Sequence, residues 1–232
     1  MTYSVAIVPA RRGSVAFPNK NMSLVNGKSL IEHAVLTARD SNIFDFIIIS
    51  TDYYPSELGF ELEKNEIFHI RSEFSASATA NASDVLSDFR SCEECAQILE
   101  ESMVCYLQPT SPLRMHTDIT ASRLLANTNS LKRCVSLNSK SIIPKKLMSL
   151  NAERAILSET QAGDASSNRQ ENSTFYLPNG AIYWFMYKDF LQSGIFPVEG
   201  AAPYLMSEIN SIDVDRVEDL EQVQLIMEAR NE

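Results

Sequence analysis

The sequence predicts an α/β fold in which a mainly parallel sheet carries helices on both faces. Short β-branched runs alternate along the chain with stretches whose apolar residues recur at helical spacing. The strand-like runs are apolar almost throughout, which is typical of parallel strands that are covered on both faces. The chain has 232 residues, 44% of them hydrophobic, with only 7 Gly and 9 Pro. This length and composition suffice for one large domain.

The predicted elements follow one another in strand–helix order. Strands at 4–9 and 45–51 flank a helix that starts at Ser29, because Ser29 and Glu32 have the spacing of a capping box. The elements expected next are a helix at about 55–65, a strand near 66–70, a long helix at about 81–101, a strand at 103–108, a helix near 117–129 and a strand at 132–137. A strand at 179–185, a short helix and a closing amphipathic helix at 215–230 complete the chain.

The alternation fails at about 139–178. This stretch is polar, rich in Ser and Asn and poor in apolar periodicity, so we expect a lid or an interaction arm rather than core. Neither an internal repeat nor a linker between two cores is visible. The sequence therefore predicts a single domain over 1–232 with one inserted arm.

Charge and composition exclude several classes of protein. The formal net charge of −10 opposes binding to nucleic acid and to anionic membranes, so neither is expected as a partner. The first residues lack the form of a secretory signal, and the longest apolar runs are short, so we expect a cytoplasmic protein. The four cysteines, including Cys92 and Cys95 within a predicted helix, are expected to be reduced thiols. The three histidines stand in no recognised motif, and a structural role is expected for each.

The loop after the first strand carries an unusual concentration of positive charge. Arg11, Arg12 and Lys20 lie within ten positions of an otherwise acidic chain, together with Gly13, Ser14 and Asn21. Because ligands of open α/β sheets bind beyond the carboxyl ends of the strands, this composition favours a polyphosphate. Neither the Walker A nor the G-x-G-x-x-G motif is present. A solvated basic turn is the alternative.

Two later segments also carry candidate ligands. The loop 107–114 follows a strand and is stiffened by two prolines, so it would present Gln108, Thr110, Ser111 and Arg114 to a polar ligand, although it could equally be a rigid turn. In an extended Asp213-Val214-Asp215 segment, both carboxylates point the same way and could bind a hard cation such as Mg²⁺. The alternative is that Asp215 only caps the following helix.

Six segments together resemble one known family. They are IVPARRGSVAFPNKN, FDFIIISTD, RSEFSASATA, LQPTSPLR, PNGAIY and SIDVDRVEDL, and they extend over nearly the whole chain. The chain resembles the acylneuraminate cytidylyltransferases, which comprise the CMP-sialic acid synthetases and their relatives for similar nine-carbon acidic sugars. The resemblance implies a Rossmann-like, Mg²⁺-dependent nucleotidyltransferase that couples CTP to an acidic 2-keto sugar and releases pyrophosphate.

The resemblance also implies roles for particular residues. Those at the matching triphosphate positions are Arg11, Arg12, Gly13, Ser14, Lys20 and Asn21. Arg71 and Ala80 match residues around the cytosine, and the matches at the sugar are Gln108, Asn179, Tyr183 and Phe196. Asp213 and Asp215 match the magnesium ligands and, with Arg11 and Lys20, form the expected catalytic set.

A homodimer is implied as well, in which an arm of one subunit brings Lys146 and Arg169 to the other subunit's site. Val15 and Ala16 depart from the family's usual Lys-Gly pair in the phosphate loop. The alternatives are therefore a Kdo-type cytidylyltransferase, acting on an eight-carbon acid, and a non-catalytic CTP-binding homologue.

Overall fold

The computed structural model describes residues 2–13, 17–140, 148–150, 155–157 and 175–231. Its strands are β1 (Ser4–Ala10), β2 (Leu24–Val25), β3 (Lys28–Ser29), β4 (Phe46–Thr51), β5 (Glu66–Ile70), β6 (Met103–Tyr106), β7 (Cys134–Asn138), β8 (Met148–Leu150), β9 (Ala155–Leu157), β10 (Pro178–Met186) and β11 (Ala202–Met206). Its α-helices are α1 (Leu30–Ser41), α2 (Glu73–Ala76), α3 (Ala82–Asp88), α4 (Glu93–Leu99), α5 (His116–Thr128), α6 (Tyr187–Ser193) and α7 (Val217–Asn231).

Seven strands form the main sheet in the order β11-β7-β10-β6-β1-β4-β5. Only β10 is antiparallel to its neighbours β6 and β7, so the predicted mainly parallel sheet is confirmed. One face of β1 packs through Ala6 and Val8 against a cluster that includes Ile31 of α1, and the other packs through Val5 and Ile7 against helices α3, α4 and α6. Because both faces are covered, all seven residues of β1 are buried, as its apolar sequence predicts.

Two helix predictions are wrong in their extent. The helix expected at 55–65 is a single 3-10 turn at Pro55–Glu57, and Gly59 then takes a left-handed φ of 77°. The helix expected at 81–101 is broken at Cys92, which is extended and separates α3 from α4. The Cys92 Sγ accepts the backbone N–H of Cys95 at 3.4 Å, so the thiol caps α4 instead of lying mid-helix.

Strand β11 has no counterpart among the predictions. It pairs in parallel with β7 at the edge of the sheet, and it contains Pro203, a residue that lowers the strand signal of its sequence. An edge strand tolerates proline because one side of its backbone makes no ladder hydrogen bonds. The irregular stretch expected at about 139–178 lies between the ends of β7 and β10.

Within that stretch, β8 and β9 form an antiparallel pair. The predicted arm residues Lys146 and Arg169 lie outside the described residues, as does Ser14 of the phosphate loop. In the part of the chain that the structure describes, no helix is long and apolar enough to cross a membrane.

Candidate active site

A cavity of about 280 Å³ opens where the loops after β1, β5 and β6 meet. The predicted residues that line it are Arg11, Lys20, Asn21, Arg71, Ala80 and Gln108. We call it the first cavity. It lies beyond the carboxyl ends of parallel strands, where open α/β sheets bind ligands.

The loop after β1 is tied to the opposite wall of the first cavity. The Arg11 guanidinium donates to the Ser77 carbonyl at 2.7 Å, and the Asn21 side-chain amide donates to the Arg11 carbonyl at 2.9 Å. Asn21 is itself buried, so it orders the backbone that carries Arg11. The loop thus holds two cations, Arg11 and Lys20, against the cavity.

Arg12 points elsewhere. Its guanidinium makes two hydrogen bonds to the Glu57 carboxylate, at 2.9 and 2.5 Å, and lies 4.5 Å from the centre of the Tyr53 ring. The hydrogen bond to Glu57 raises the pKa of Arg12. Arg12 does not line the first cavity, and its contact with a triphosphate stays a prediction, as does that of Gly13.

Arg71 forms the floor of the first cavity and is only 8% exposed. Its Nε donates to the Ser50 hydroxyl and its Nη1 to the Ser75 carbonyl, both at 3.3 Å. Burial lowers the pKa of Arg71 because desolvation disfavours its charge. Ala80 lies at the rim of the same cavity, so the two predicted base-binding residues are brought together.

The two predicted metal ligands face the same way. Val214 is fully buried between the exposed Asp213 and Asp215, and its backbone N–H donates to the Thr110 carbonyl at 2.7 Å. Asp215 forms an ion pair with Lys20 at 2.9 Å. The expected alternation along an extended segment is therefore present.

Helix capping does not account for Asp215. The carboxylate that accepts the backbone N–H groups at the start of α7 belongs to Asp219, at 2.9 Å from Asp215 N and 2.8 Å from Arg216 N. The Asp215 carboxylate instead pairs with Lys20 across 195 positions of sequence. The hydrogen bonds at the start of this helix are therefore made by the Asp219 carboxylate and not by that of Asp215.

The charged form of Asp213 is disfavoured by its surroundings, which raise the pKa of this carboxyl group. Solvent reaches its side chain, yet surrounding protein atoms partly desolvate it, and this burial raises its pKa. The like charge of Asp215 acts in the same direction, whereas a hydrogen bond with Thr110 opposes it. A divalent cation would relieve this repulsion, and carboxylate oxygens are the ligands that Mg²⁺ prefers.

The residues present fit such an ion. Within the described ranges no three His, Cys, Asp or Glu side chains cluster as a complete cage. Mg²⁺ usually takes one or two protein carboxylates and completes its shell with water and phosphate oxygens, so two aspartates suffice. Asp213 lines a second cavity, whereas Thr110 beside it lines the first, and Asp215 pairs with Lys20 of the first.

The second cavity has a volume of about 480 Å³. Among the predicted residues, Gln108, Asn179, Tyr183 and Asp213 line it. Gln108 belongs to both cavities and packs closely on Gly180, whose φ is 78°. A Cβ at Gly180 would displace the Gln108 side-chain amide, and the left-handed φ itself favours glycine.

Asn179 is fully engaged with the protein. Its Oδ1 accepts from the Ser136 hydroxyl at 2.6 Å and from the Ala181 backbone at 3.2 Å, and its Nδ2 donates to the Ser211 hydroxyl at 2.9 Å. With 8% exposure, the side chain holds β10 against β7 and the segment before α7. Its direct contact with a sugar stays a prediction.

We expect Asn179→Ala to lower the free energy of unfolding by about 2 kcal/mol or more, because several buried partners would lose their hydrogen bonds. Urea denaturation followed by circular dichroism measures this change. If the free energy of unfolding is unchanged and only the KM for substrate rises, the Asn179 amide binds the ligand and does not stabilise the fold.

Phe196 lies in a third cavity of about 420 Å³ that shares Gln108 and Tyr183 with the second. Its ring packs edge-on against Tyr106, Tyr183 and Phe185 at centroid distances of 5.2 to 5.3 Å. This wall is largely apolar. Phe196 therefore contacts Tyr183, another residue predicted to bind the sugar.

Other residues of the loop 107–114 do not face a ligand. Ser111 is fully buried and Arg114 is 3% exposed, so the expectation that both are presented to a ligand is wrong. The Arg114 Nη1 donates to the carbonyls of Gln108, at 3.1 Å, and Ala181, at 2.7 Å, which fixes the loop against β10. Burial lowers the pKa of Arg114 to about 10.

Lys140 is a cavity residue that the sequence reasoning missed. It lines the second cavity two positions beyond the end of β7, and its backbone N–H is held by the Asn138 side chain at 2.8 Å. The position just after a predicted parallel strand was the signal available. The second cavity thus contains a described cation of its own.

Comparison with known proteins identifies the family of this chain. The chain belongs to the cytidylyltransferase family, whose sequence profile matches residues 5–231. It is 31% identical over 219 residues to an N-acylneuraminate cytidylyltransferase of Streptococcus agalactiae, covering 93% of this chain but 51% of that protein. The chain therefore spans about half the length of these streptococcal relatives.

Two further proteins match over their whole length. The CMP-N,N'-diacetyllegionaminic acid synthase of Legionella pneumophila is 28% identical, with 98% of this chain and 97% of that protein covered. A CMP:2-keto-3-deoxy-manno-octonic acid synthetase solved with CTP has a TM-score of 0.66 at 16% identity, covering 99% of this chain and 100% of that one. At this identity, the structural match shows the fold alone.

Proposed function

We propose that this protein transfers the CMP group of CTP to an acidic nine-carbon 2-keto sugar and releases pyrophosphate. The observation that carries the proposal is that Asp213 lines the second cavity with Gln108 and Tyr183, while its neighbour Asp215 pairs with Lys20, which lines the first cavity with Arg11 and Arg71. A reaction that joins a triphosphate to a second anion needs two adjoining pockets, and a cation held by the two aspartates would supply the positive charge between them.

The residues divide the work by position. Arg11 and Lys20 offset the charge of the triphosphate and of the departing pyrophosphate, while Arg71 and Ala80 enclose the base. Gln108 lies in both cavities and orients the sugar hydroxyl towards the α-phosphorus for in-line attack. Mg²⁺, when bound by Asp213 and Asp215, supplies positive charge to the phosphate oxygens.

The shape of the sugar side favours a nonulosonate. Lys140 gives the second cavity a cation that complements a sugar carboxylate, and the apolar wall of the third cavity suits an acylamino or methyl substituent. The names of the streptococcal and Legionella relatives, an N-acylneuraminate enzyme and a diacetyllegionaminic acid synthase, agree with this class.

A pyrophosphate-release assay with CTP across a panel of nine-carbon and eight-carbon 2-keto acids tests the proposal. We expect turnover with at least one nine-carbon acid and much weaker turnover with the eight-carbon Kdo. Preference for Kdo would assign the protein to the eight-carbon class. Binding of CTP without pyrophosphate release from any acid would identify a non-catalytic homologue.

The proposal includes a two-fold symmetric homodimer. The polar stretch between β7 and β10 carries Lys146 and Arg169, which lie outside the described residues, and its length is unusual for a connection within one subunit. We expect each arm to place these cations near the sugar carboxylate of the neighbouring subunit.

Mixed dimers test this exchange. Asp213→Asn protomers and Arg169→Ala protomers are each expected to be inactive or weak, and their heterodimers should regain activity because one of the two shared sites lacks both lesions. If heterodimers form and activity stays at the level of the separate variants, the arm does not complete the partner's site.

A further inference from the structure

A chain of hydrogen bonds behind the first cavity connects Arg71 to a buried histidine. The Arg71 Nε donates to the Ser50 Oγ at 3.3 Å, and the same oxygen lies 3.1 Å from the His69 Nδ1. Ser50 and His69 are register partners on β4 and β5, and His69 lies two residues before Arg71, so all three point to one face of the sheet. Their exposures are 0, 5 and 8%, which keeps the chain of hydrogen bonds away from water.

The donors in this chain define the form of the histidine. Because an arginine nitrogen can only donate, the Ser50 oxygen accepts from Arg71 and is left with one proton to give to the His69 Nδ1. The neutral ring then carries its own proton on Nε2. Burial lowers the pKa of His69, which favours the neutral ring.

The far side of the ring faces a carboxylate that is itself held in place. The His69 Nε2 lies 4.0 Å from the Asp88 Oδ2, and Asp88 accepts from the Ser72 backbone at 2.9 Å and from the Ser75 hydroxyl at 2.5 Å. The Ser75 carbonyl in turn accepts from the Arg71 Nη1. The path therefore returns to Arg71 by way of one longer contact of 4.0 Å, between His69 and Asp88, and joins β4, β5, α2 and α3.

A buried network of this kind limits the positions of a long, flexible side chain. Arg71 carries several rotatable bonds, so an unsupported guanidinium in the cavity would have to be ordered when a ligand binds. Here two of its nitrogens are already fixed by neighbours that are fixed themselves. We infer that His69, acting through Ser50, is a positioning residue that orients the Arg71 guanidinium for recognition of the nucleotide base.

The inference rests on the proposed function only for the identity of the ligand, CTP. The probe is therefore equilibrium binding of CTP without sugar, measured by isothermal titration calorimetry. His69→Phe keeps a planar ring but removes the acceptor for Ser50, and we expect CTP affinity to fall about tenfold, which corresponds to about 1.4 kcal/mol. His69→Asn presents an oxygen near the position of Nδ1 and should bind CTP within about twofold of the unmodified protein.

His33→Phe is the matched control. The His33 Nε2 lies 2.8 Å from the Val25 carbonyl, on α1 and away from the first cavity, so this variant also loses one partly buried histidine hydrogen bond. It should lower the melting temperature and leave CTP affinity unchanged. A loss of CTP affinity in both phenylalanine variants would mean that general destabilisation, and not the positioning of Arg71, is measured.

Ser50→Ala provides the second route to the same contact, without altering the ring. Ser50 and His69 act in series on Arg71. The double variant Ser50→Ala/His69→Phe should therefore lose no more CTP affinity than the single variant with the larger loss. Additive losses would show that the two residues act separately. If His69→Phe does not fold, Ser50→Ala with unchanged CTP affinity is sufficient to overturn the inference.

The remaining outcomes separate this inference from the proposed function. Equal losses in His69→Phe and His69→Asn would show that ring packing matters and the acceptor does not. Unmodified protein that binds CTP but releases no pyrophosphate would refute the proposed function, while the variants' affinities would still decide the role of His69. Unmodified protein that does not bind CTP would overturn both.

Discussion

Asp213→Asn is expected to lower kcat by two to three orders of magnitude while the folded structure is retained. Solvent reaches the Asp213 side chain, which lines the second cavity beside Asp215, so the fold does not depend on its charge. Partial desolvation by surrounding protein atoms and the neighbouring carboxylate raise the pKa of Asp213, and a cation bound by both groups would offset their repulsion. Pyrophosphate release measured against Mg²⁺ concentration gives the test.

Glu218→Gln is the control for this variant, because it neutralises another exposed carboxylate close to the same segment. We expect its Mg²⁺ dependence to match that of the unmodified protein. If Asp213→Asn keeps full activity at limiting Mg²⁺, Asp213 is not a metal ligand. An equal loss of activity in both variants would show that the negative charge of the surface matters, and not a specific metal site.

Replacing CTP by UTP should lower kcat/KM by about a hundredfold or more. The proposed base-binding residue Arg71 lines the first cavity and is buried and fixed by two hydrogen bonds, so we expect that it cannot readily turn to match a different base edge. A site built to pair one base leaves polar groups unpaired with another, and that penalty is large in a desolvated pocket.

Parallel initial-rate measurements with the two nucleotides, at saturating sugar, give the ratio directly. ATP serves as the control for a base that differs from cytosine in both size and hydrogen-bonding edge. Equal use of UTP and CTP would show that Arg71 does not read the base.

The parts of the fold that the sequence predicts are those governed by local pattern. Strands β1, β4 and β6 are largely apolar runs whose burial on both faces is visible in their composition, and Ser29 caps α1 as its spacing to Glu32 predicts, accepting the Glu32 N–H at 3.1 Å. The break at Cys92 and the edge strand β11 depend on tertiary contacts. Neither has a strong local signal.

The candidate site divides in the same way. Loops that follow strands could be recognised from their position, which is why most predicted residues line the three cavities. The partner of each side chain could not be predicted, because Arg12 meets Glu57 across 45 positions and Lys20 meets Asp215 across 195. His69 illustrates the limit most clearly, since its link to Arg71 exists only once β4 and β5 are paired.

The central claim is that the two adjoining cavities join CTP to an acidic 2-keto sugar through the α-phosphorus. Phosphorus-31 NMR of a reaction containing CTP, Mg²⁺ and the best nine-carbon acid of the panel measures this directly. We expect a new phosphodiester signal of a CMP-sugar that grows in a one-to-one ratio with pyrophosphate. Free CMP with pyrophosphate, or CDP with inorganic phosphate, in place of the diester would contradict it.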